Sequence, residues 1–241
     1  MGKIGSKVVK LIFFINIMKL GVLFSGGKDS CLALHKVLDE GNEVRFLLNI
    51  VSDNEDSFMF HKQDLGLLAA QAERLGIEMV SVKSEGIEGE ELNDLRELIG
   101  KVADDVDGIV VGGIASSYQG KRVKDICDEF GLEFVAPLWD YEPERVWREL
   151  LDEGFEVMMI KIACDGIGRE WLSRVIDEEA LVELRVLSKR FGFRMDFEGG
   201  EAESCVLNMP EYSSRIEIDF EVESEGEFRH FVRDVKIKSK I

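Results

Sequence analysis

From Lys19 to Glu153 the chain alternates short aliphatic or β-branched runs with longer stretches of helical period, and that alternation restricts its fold more than any other feature. Strands separated by helices return in the same direction, so they become parallel neighbours in a sheet covered on both faces. The pattern predicts strands over 19–24, 44–51, 77–82, 108–114 and 133–136, and helices over 30–40, 63–75, 90–102, 121–130 and 143–153. Pro143 sits near the first turn of the last helix, where its fixed φ and missing N–H do no harm.

Beyond about Gly154 the character changes. One more strand, "FEVMMIKIA", precedes a helical region over 176–191 and then mostly strands. "RIEIDFEVE", residues 215–223, sets Ile216, Ile218, Phe220 and Val222 on one face, and Gly226 permits a hairpin return through Phe231, Val235 and Ile237. With 241 residues the chain holds one domain or two. The expected architecture is α/β: a parallel Rossmann-like sheet of about five strands over residues 18–140, and a smaller α+β domain over 141–241. The helix from Pro143 is a candidate bridge between them.

Residues 1–17 stand apart. "KVVKLIFFINIM" has the basic start and apolar middle of a secretory signal but no small-residue cleavage site, and it is too short to span a bilayer. It reads as an extension, a misassigned start or an added strand.

Charge and cysteines narrow the function. With 48 acidic and 30 basic residues the net charge is −18, which repels a polyphosphate backbone, and no basic cluster offers an exception; nucleic acid and membrane are not expected partners. Cys31, Cys127, Cys164 and Cys205 lie far apart without a CxxC, which suits reduced thiols in a cytoplasm. Nothing in the sequence speaks against a homo-oligomer.

The residues most suggestive of chemistry are "SGGKDS", 25–30, between the first strand and the first helix. The first four amides of a helix have no internal partner and carry partial positive charge, which attracts an anion. Gly26 and Gly27 let the backbone curl closely around such a ligand, Ser25 and Ser30 add hydroxyls, and Lys28 adds a cation. A tight strand-to-helix turn capped by Asp29 or Ser30 accounts for a lone glycine pair, but less well for six consecutive residues of this kind. The spacings GxxxxGK[ST] and GxGxxG are both absent.

The segment resembles the SGGxDS loop of the ATP pyrophosphatases, adenine nucleotide alpha-hydrolase-like proteins that cleave ATP between the α and β phosphates and pass AMP to an acceptor oxygen. The resemblance implies that ATP is bound here, that the loop grips the leaving pyrophosphate, and that Asp29 holds Mg2+ or orders the loop. Three further stretches resemble one branch, the diphthine–ammonia ligases: "SFMFH" at 57–61, "GGIASSYQGKRV" at 112–123 and "EGGEAESCVLNMP" at 198–210. The first two follow strands, where the ligand crevice of an open parallel sheet lies. His61, Gly112 and Gly113 are therefore expected beside the nucleotide, and Tyr118 and Arg122 beside nucleotide or substrate. Glu198, Gly199, Gly200, Glu201, Glu203 and Ser204 are expected to meet the acceptor, since clustered carboxylates suit a cationic ligand. Phe197, Ala202 and Ser204 depart from the family, which commonly has Gly, an aromatic residue and Thr there.

The resemblance implies that ATP converts the carboxylate of diphthine, on translation elongation factor 2, to an acyl-adenylate that ammonia opens to diphthamide. Lys28 and Asp29 are the expected catalytic residues on the phosphate side. Glu198 or Glu201 is expected to orient ammonium or take its proton, and free ammonium is the simpler nitrogen source. The rivals are a tRNA-thiolating enzyme, which calls for paired or metal-binding cysteines and a basic surface, a phosphoadenylylsulfate reductase, and a nucleotide sensor that binds without releasing pyrophosphate.

Overall fold

The computed structural model describes residues 17–52, 65–85, 91–113 and 117–238, with backbone alone at Ser52 and at 117–119. Residues 1–16 of the N-terminal extension, and "SFMFH" with His61, lie outside the described residues.

Five strands, β1 (Lys19–Leu23), β2 (Glu43–Ser52), β3 (Glu78–Ser84), β4 (Gly108–Val110) and β5 (Glu133–Val135), form one sheet in the order β3-β2-β1-β4-β5. Every pairing in it is parallel. The helices between them are α1 (Lys28–Asp39), α2 (Leu65–Leu75), α3 (Glu91–Gly100) and α4 (Ser117–Phe130). Alternation along the strands feeds two faces. Leu20, Val22 and Leu47 pack with Leu32, Leu34 and Val37 of α1 and Leu67 and Leu68 of α2. Leu48, Ile50 and Ile109 pack with Leu95, Leu98 and Ile99 of α3 and with Val123 and Ile126 of α4.

The chain order reverses between β1 and β4, so the carboxyl ends of these two strands flank a natural crevice. The loop at 25–27 leaves β1 there, and Gly112 and Gly113 follow β4.

The second sheet is antiparallel, order β7-β6-β9-β8, built from β6 (Glu156–Ala163), β7 (Ala202–Asn208), β8 (Ile218–Glu225) and β9 (Arg229–Ile237). A 3-10 turn, Arg169–Ser173, and α6 (Glu178–Phe191) cover it. Asp177 caps α6 by accepting the N–H of Ala180 at 2.8 Å, and Gly192 ends it at φ 84°, a left-handed conformation that a Cβ disfavours. The helix α5 (Pro143–Asp152) joins the two halves: Lys36 of α1 pairs with Glu149 at 2.9 Å, and Trp147 Nε1 donates to the carbonyl of Met195 at 2.6 Å. One continuous core runs from β1 and α1 through Trp147 into β6 and β7.

Boundaries differ from the sequence expectation in four instructive places. α1 begins at Lys28, not at residue 30, because extended Gly27 serves as its N-cap. β4 stops at Val110, and the next residues bring Gly112 against the head of α1. α4 starts at Ser117, four residues earlier than expected; Gly120 lies inside it, where a Cβ would stand 2.7 Å from the Trp139 ring. β8 begins at Ile218, whereas Ile216 is fully buried and donates its N–H to Leu207 before the ladder starts. Among the described residues no helix is long and apolar enough to cross a membrane.

Candidate functional site

The loop at 25–30, the candidate phosphate loop, is built by contacts from every side. Phe24 N–H donates to Leu48 O at 2.8 Å and Asn49 Nδ2 donates to Phe24 O at 3.0 Å, which fixes where β1 ends. Ser25 N–H donates to Ser30 Oγ at 3.3 Å, and that hydroxyl donates to Gly27 O at 3.1 Å, folding the loop onto the first turn of α1. Gly26 takes φ +73°, and a Cβ there would lie 1.9 Å from Oε1 of Gln71. Only glycine fits. Gly112 is constrained as tightly, since its Cβ would lie 2.7 Å from the backbone N of Ser30. Gly113 faces open space.

The loop is also tied to the second sheet. Val206 N–H donates to Gly26 O at 3.0 Å, and Lys28 N–H donates to Ser204 Oγ at 3.1 Å. The amides of Asp29 and Ser30 are then those that helix geometry itself leaves open for an anion. Lys28 is 3% exposed. Its ammonium donates to Asp29 Oδ2 and to the carbonyl of Asp196, both at 2.6 Å, between the rings of Trp147 and Phe197 at 5.9 and 5.8 Å. Reaching a phosphate would require it to release those partners.

Asp29 is poised differently. Burial pushes its carboxyl above the usual range, with the Lys28 ammonium pulling it back, and Oδ1 is buried with no hydrogen-bond partner. An unpartnered carboxylate oxygen beside an anion cradle fits a divalent cation shared with phosphate oxygens. Among the described residues no three His, Cys, Asp or Glu converge on a metal position.

The second glycine pair sits on the loop entering β7. Asp196, fully buried, accepts from the Arg194 guanidinium through both oxygens and from the Glu198 N–H at 3.2 Å. Phe197 holds φ 62° with its ring against Trp147 and Phe193, each at 6.1 Å. Gly200 holds φ +82° and donates its N–H to Phe197 O at 3.0 Å. A Cβ at Gly199 would lie 2.7 Å from Oε1 of Glu201, which accepts the Arg194 N–H at 3.1 Å. Glu201 Oε2 is buried without a partner.

The three carboxylates sit in different surroundings. Glu203 is neutralised by Lys161 at 2.7 Å, and Glu198 is exposed. Ser204 faces the phosphate loop through its bond from Lys28 N–H. Arg122 lies half-buried on α4, and Tyr118 occupies the first turns of the same helix, its side chain outside the described residues. Three residues absent from the sequence expectation shape the site: Gln71, Asp196 and Trp147. Gln71 alone left a signal, a polar residue on the apolar stripe of α2 set by Leu67 and Leu68.

Two family models match in sequence order: Diphthamide synthase N-terminal domain over residues 18–134 and Diphthamide synthase C-terminal domain over 142–241. The diphthine–ammonia ligase of Homo sapiens is 31% identical over 226 residues, covering 84% of this chain and 83% of its own. That of Danio rerio is 30% identical over 222 residues, covering 84% and 87%. A solved U34-tRNA thiolase from Methanococcus maripaludis is 17% identical with a TM-score of 0.37, covering 73% of this chain and 66% of its own, a likeness that says nothing of chemistry.

Proposed function

Because the chain belongs to the diphthamide synthase family, we propose that it completes diphthamide on translation elongation factor 2, converting the carboxylate of diphthine to an amide with ammonium and ATP. It is a carbon–nitrogen ligase that uses ATP, as its curated relatives are. In the first step a diphthine carboxylate oxygen bonds to the α phosphorus as the bond to the β-phosphate oxygen breaks, giving an acyl-adenylate and pyrophosphate. Ammonia then forms the C–N bond, AMP departs with the acyl oxygen, and the displaced proton goes to a nearby base.

Five of the named residues have a place in that scheme. The open amides of Asp29 and Ser30, with the Ser25 hydroxyl, cradle the β and γ phosphates, whose charge grows as pyrophosphate leaves, while the Ser30 hydroxyl, committed to Gly27 O, holds the loop in shape. Asp29, through its unpartnered Oδ1, would hold magnesium, which when bound would neutralise part of that charge. Lys28 serves as a strut between the phosphate loop and residues 194–198, given where its ammonium lies. Glu201 orients ammonium and takes its proton through the buried, unpartnered Oε2. The four free thiols, three of them buried, accord with a cytoplasmic setting.

The observation that carries the reading is the direct bonding of the phosphate loop to β7, the strand that continues the acceptor motif: Gly26 O to Val206 N–H and Lys28 N–H to Ser204 Oγ. Nucleotide and acceptor segments are built as one unit, as an acyl transfer between them requires. The test is to incubate the protein with ATP, isotopically labelled ammonium and elongation factor 2 bearing diphthine, and to measure the intact mass of the factor. Label incorporated as an amide at the diphthine supports the reading; pyrophosphate release with an unaltered factor overturns the choice of acceptor.

A further inference from the structure

Gln71 lies on α2, in the first sheet's half of the molecule, and is 1% exposed. A buried primary amide is unfavourable unless its donors are satisfied. Here Nε2 donates to Gly26 O and to Val206 O, both at 2.9 Å, and lies 3.6 Å from Cys205 Sγ. One carbonyl belongs to the phosphate loop and the other to β7. The Gly26 carbonyl also receives the Val206 N–H, so loop, amide and strand close a small ring of hydrogen bonds. On its other side, Gln71 Oε1 fills the space a Cβ of residue 26 would take, which holds the loop in its left-handed turn.

An apolar side chain of equal length would fill the same volume, so packing alone does not call for glutamine. What the amide adds is direction: two donors fixed in one plane, one for each half of the site.

We propose that Gln71 is a positioning residue that couples the phosphate loop to β7, so that nucleotide bound at the loop sets the strand presenting the acceptor. The inference deepens the ligase reading and rests on it for the identity of the acceptor, but the coupling itself needs nucleotide alone. It makes the Val206 amide, through its bond to Gly26 O, the reporter of loop occupancy.

The experiment is amide hydrogen exchange on the full chain with and without saturating ATP, for the wild type and for Gln71→Met, which keeps length and removes both donors. In the wild type, ATP slows exchange at the Val206 amide by at least about tenfold. In Gln71→Met, ATP still binds, but the slowing at Val206 drops to about twofold or less while protection at Ser30, in the loop itself, persists. Gln71→Asn, which keeps an amide of shorter reach, falls between and serves should the Met variant not fold. In turnover, the Met variant lowers kcat for amidation by about 10- to 100-fold with a smaller change in KM for ATP.

A wild-type Val206 amide indifferent to ATP overturns the proposal. So does a substituted protein that keeps the full ATP-induced protection at Val206, or one whose only change is a lower melting temperature. If the wild type shows the coupling but never amidates diphthine, the acceptor assignment fails and the role of Gln71 stands.

Discussion

The two glycine pairs of this protein, Gly26–Gly27 and Gly199–Gly200, look alike in sequence and are held differently. The first is fixed from a distance: Gln71, Val206, Ser204 and Asn49 all reach its neighbourhood from other elements. The second draws more on its own neighbours, through the Arg194–Asp196 pair, the Glu198 and Gly200 N–H bonds and Arg194 N–H on Glu201, and is held from other elements by Lys28 on Asp196 O, Trp147 on Met195 O and Ala163 N–H on Glu201 O.

The difference is broken most severely by Gly26→Ala. Its Cβ would collide with Gln71 at a backbone angle that alanine avoids, so ATP-dependent pyrophosphate release should fall more than about 100-fold. Next is Asp196→Ala, which strips a fully buried carboxylate from Arg194 and from the Glu198 N–H. Thermal or denaturant unfolding should show a loss of about 3 kcal/mol, with ATP still bound and turnover of the acceptor impaired.

Phe197→Gly weighs two opposing effects at a left-handed backbone position. Relief of the left-handed backbone returns about 1 kcal/mol, and removing the ring from between Trp147 and Phe193 loses about 3–5 kcal/mol, so denaturant unfolding should report net destabilisation by about 2–4 kcal/mol. Gly200→Ala, at φ +82° with nothing within 4 Å of its Cβ, should lose only about 1 kcal/mol and leave pyrophosphate release within a few-fold. Set beside Gly26→Ala, it separates backbone strain from collision.

The smallest effect is on Cys164, whose thiol is pushed up to about 11 by burial and then by the carboxylates of Glu201 and Asp165. Below that value the thiol is protonated, so only about one in a thousand is ionised at pH 8 and alkylation should be slow. Glu201→Gln removes one of the negative charges, lowers the thiol pKa and should speed alkylation at pH 8 by a few-fold. An unchanged rate would mean that Glu201 does not face Cys164 in solution.

The sheet was legible in the sequence because β1 and β2 read as aliphatic runs and α1 to α3 have clear periods. The phosphate loop was legible because its residue types cluster within six positions. What escaped has physical reasons. Gly120 masked the start of α4, since its missing side chain serves the Trp139 ring rather than a turn. β7, "AESCVLN", is an edge strand in mixed surroundings and gave no clean alternation. Asp196 lies in an aperiodic loop whose partners are fixed only by tertiary packing. The acidic motif suggested a cluster of carboxylates, but the Lys161 that neutralises Glu203 is 42 residues away and shares no local pattern with it. The expectation of glycine at residue 197 carried more meaning than the sequence could give: the backbone there is left-handed, and this chain meets that demand with an aromatic ring wedged into the core.

The account depends most on where ATP breaks, because a cradle at the head of α1, bonded to the acceptor strand, should release two phosphates together. Chromatography of the nucleotide products, with diphthine-bearing elongation factor 2 and ammonium present, decides it. We expect AMP and pyrophosphate in equal amounts, each matching the amide formed; ADP and orthophosphate would contradict the account.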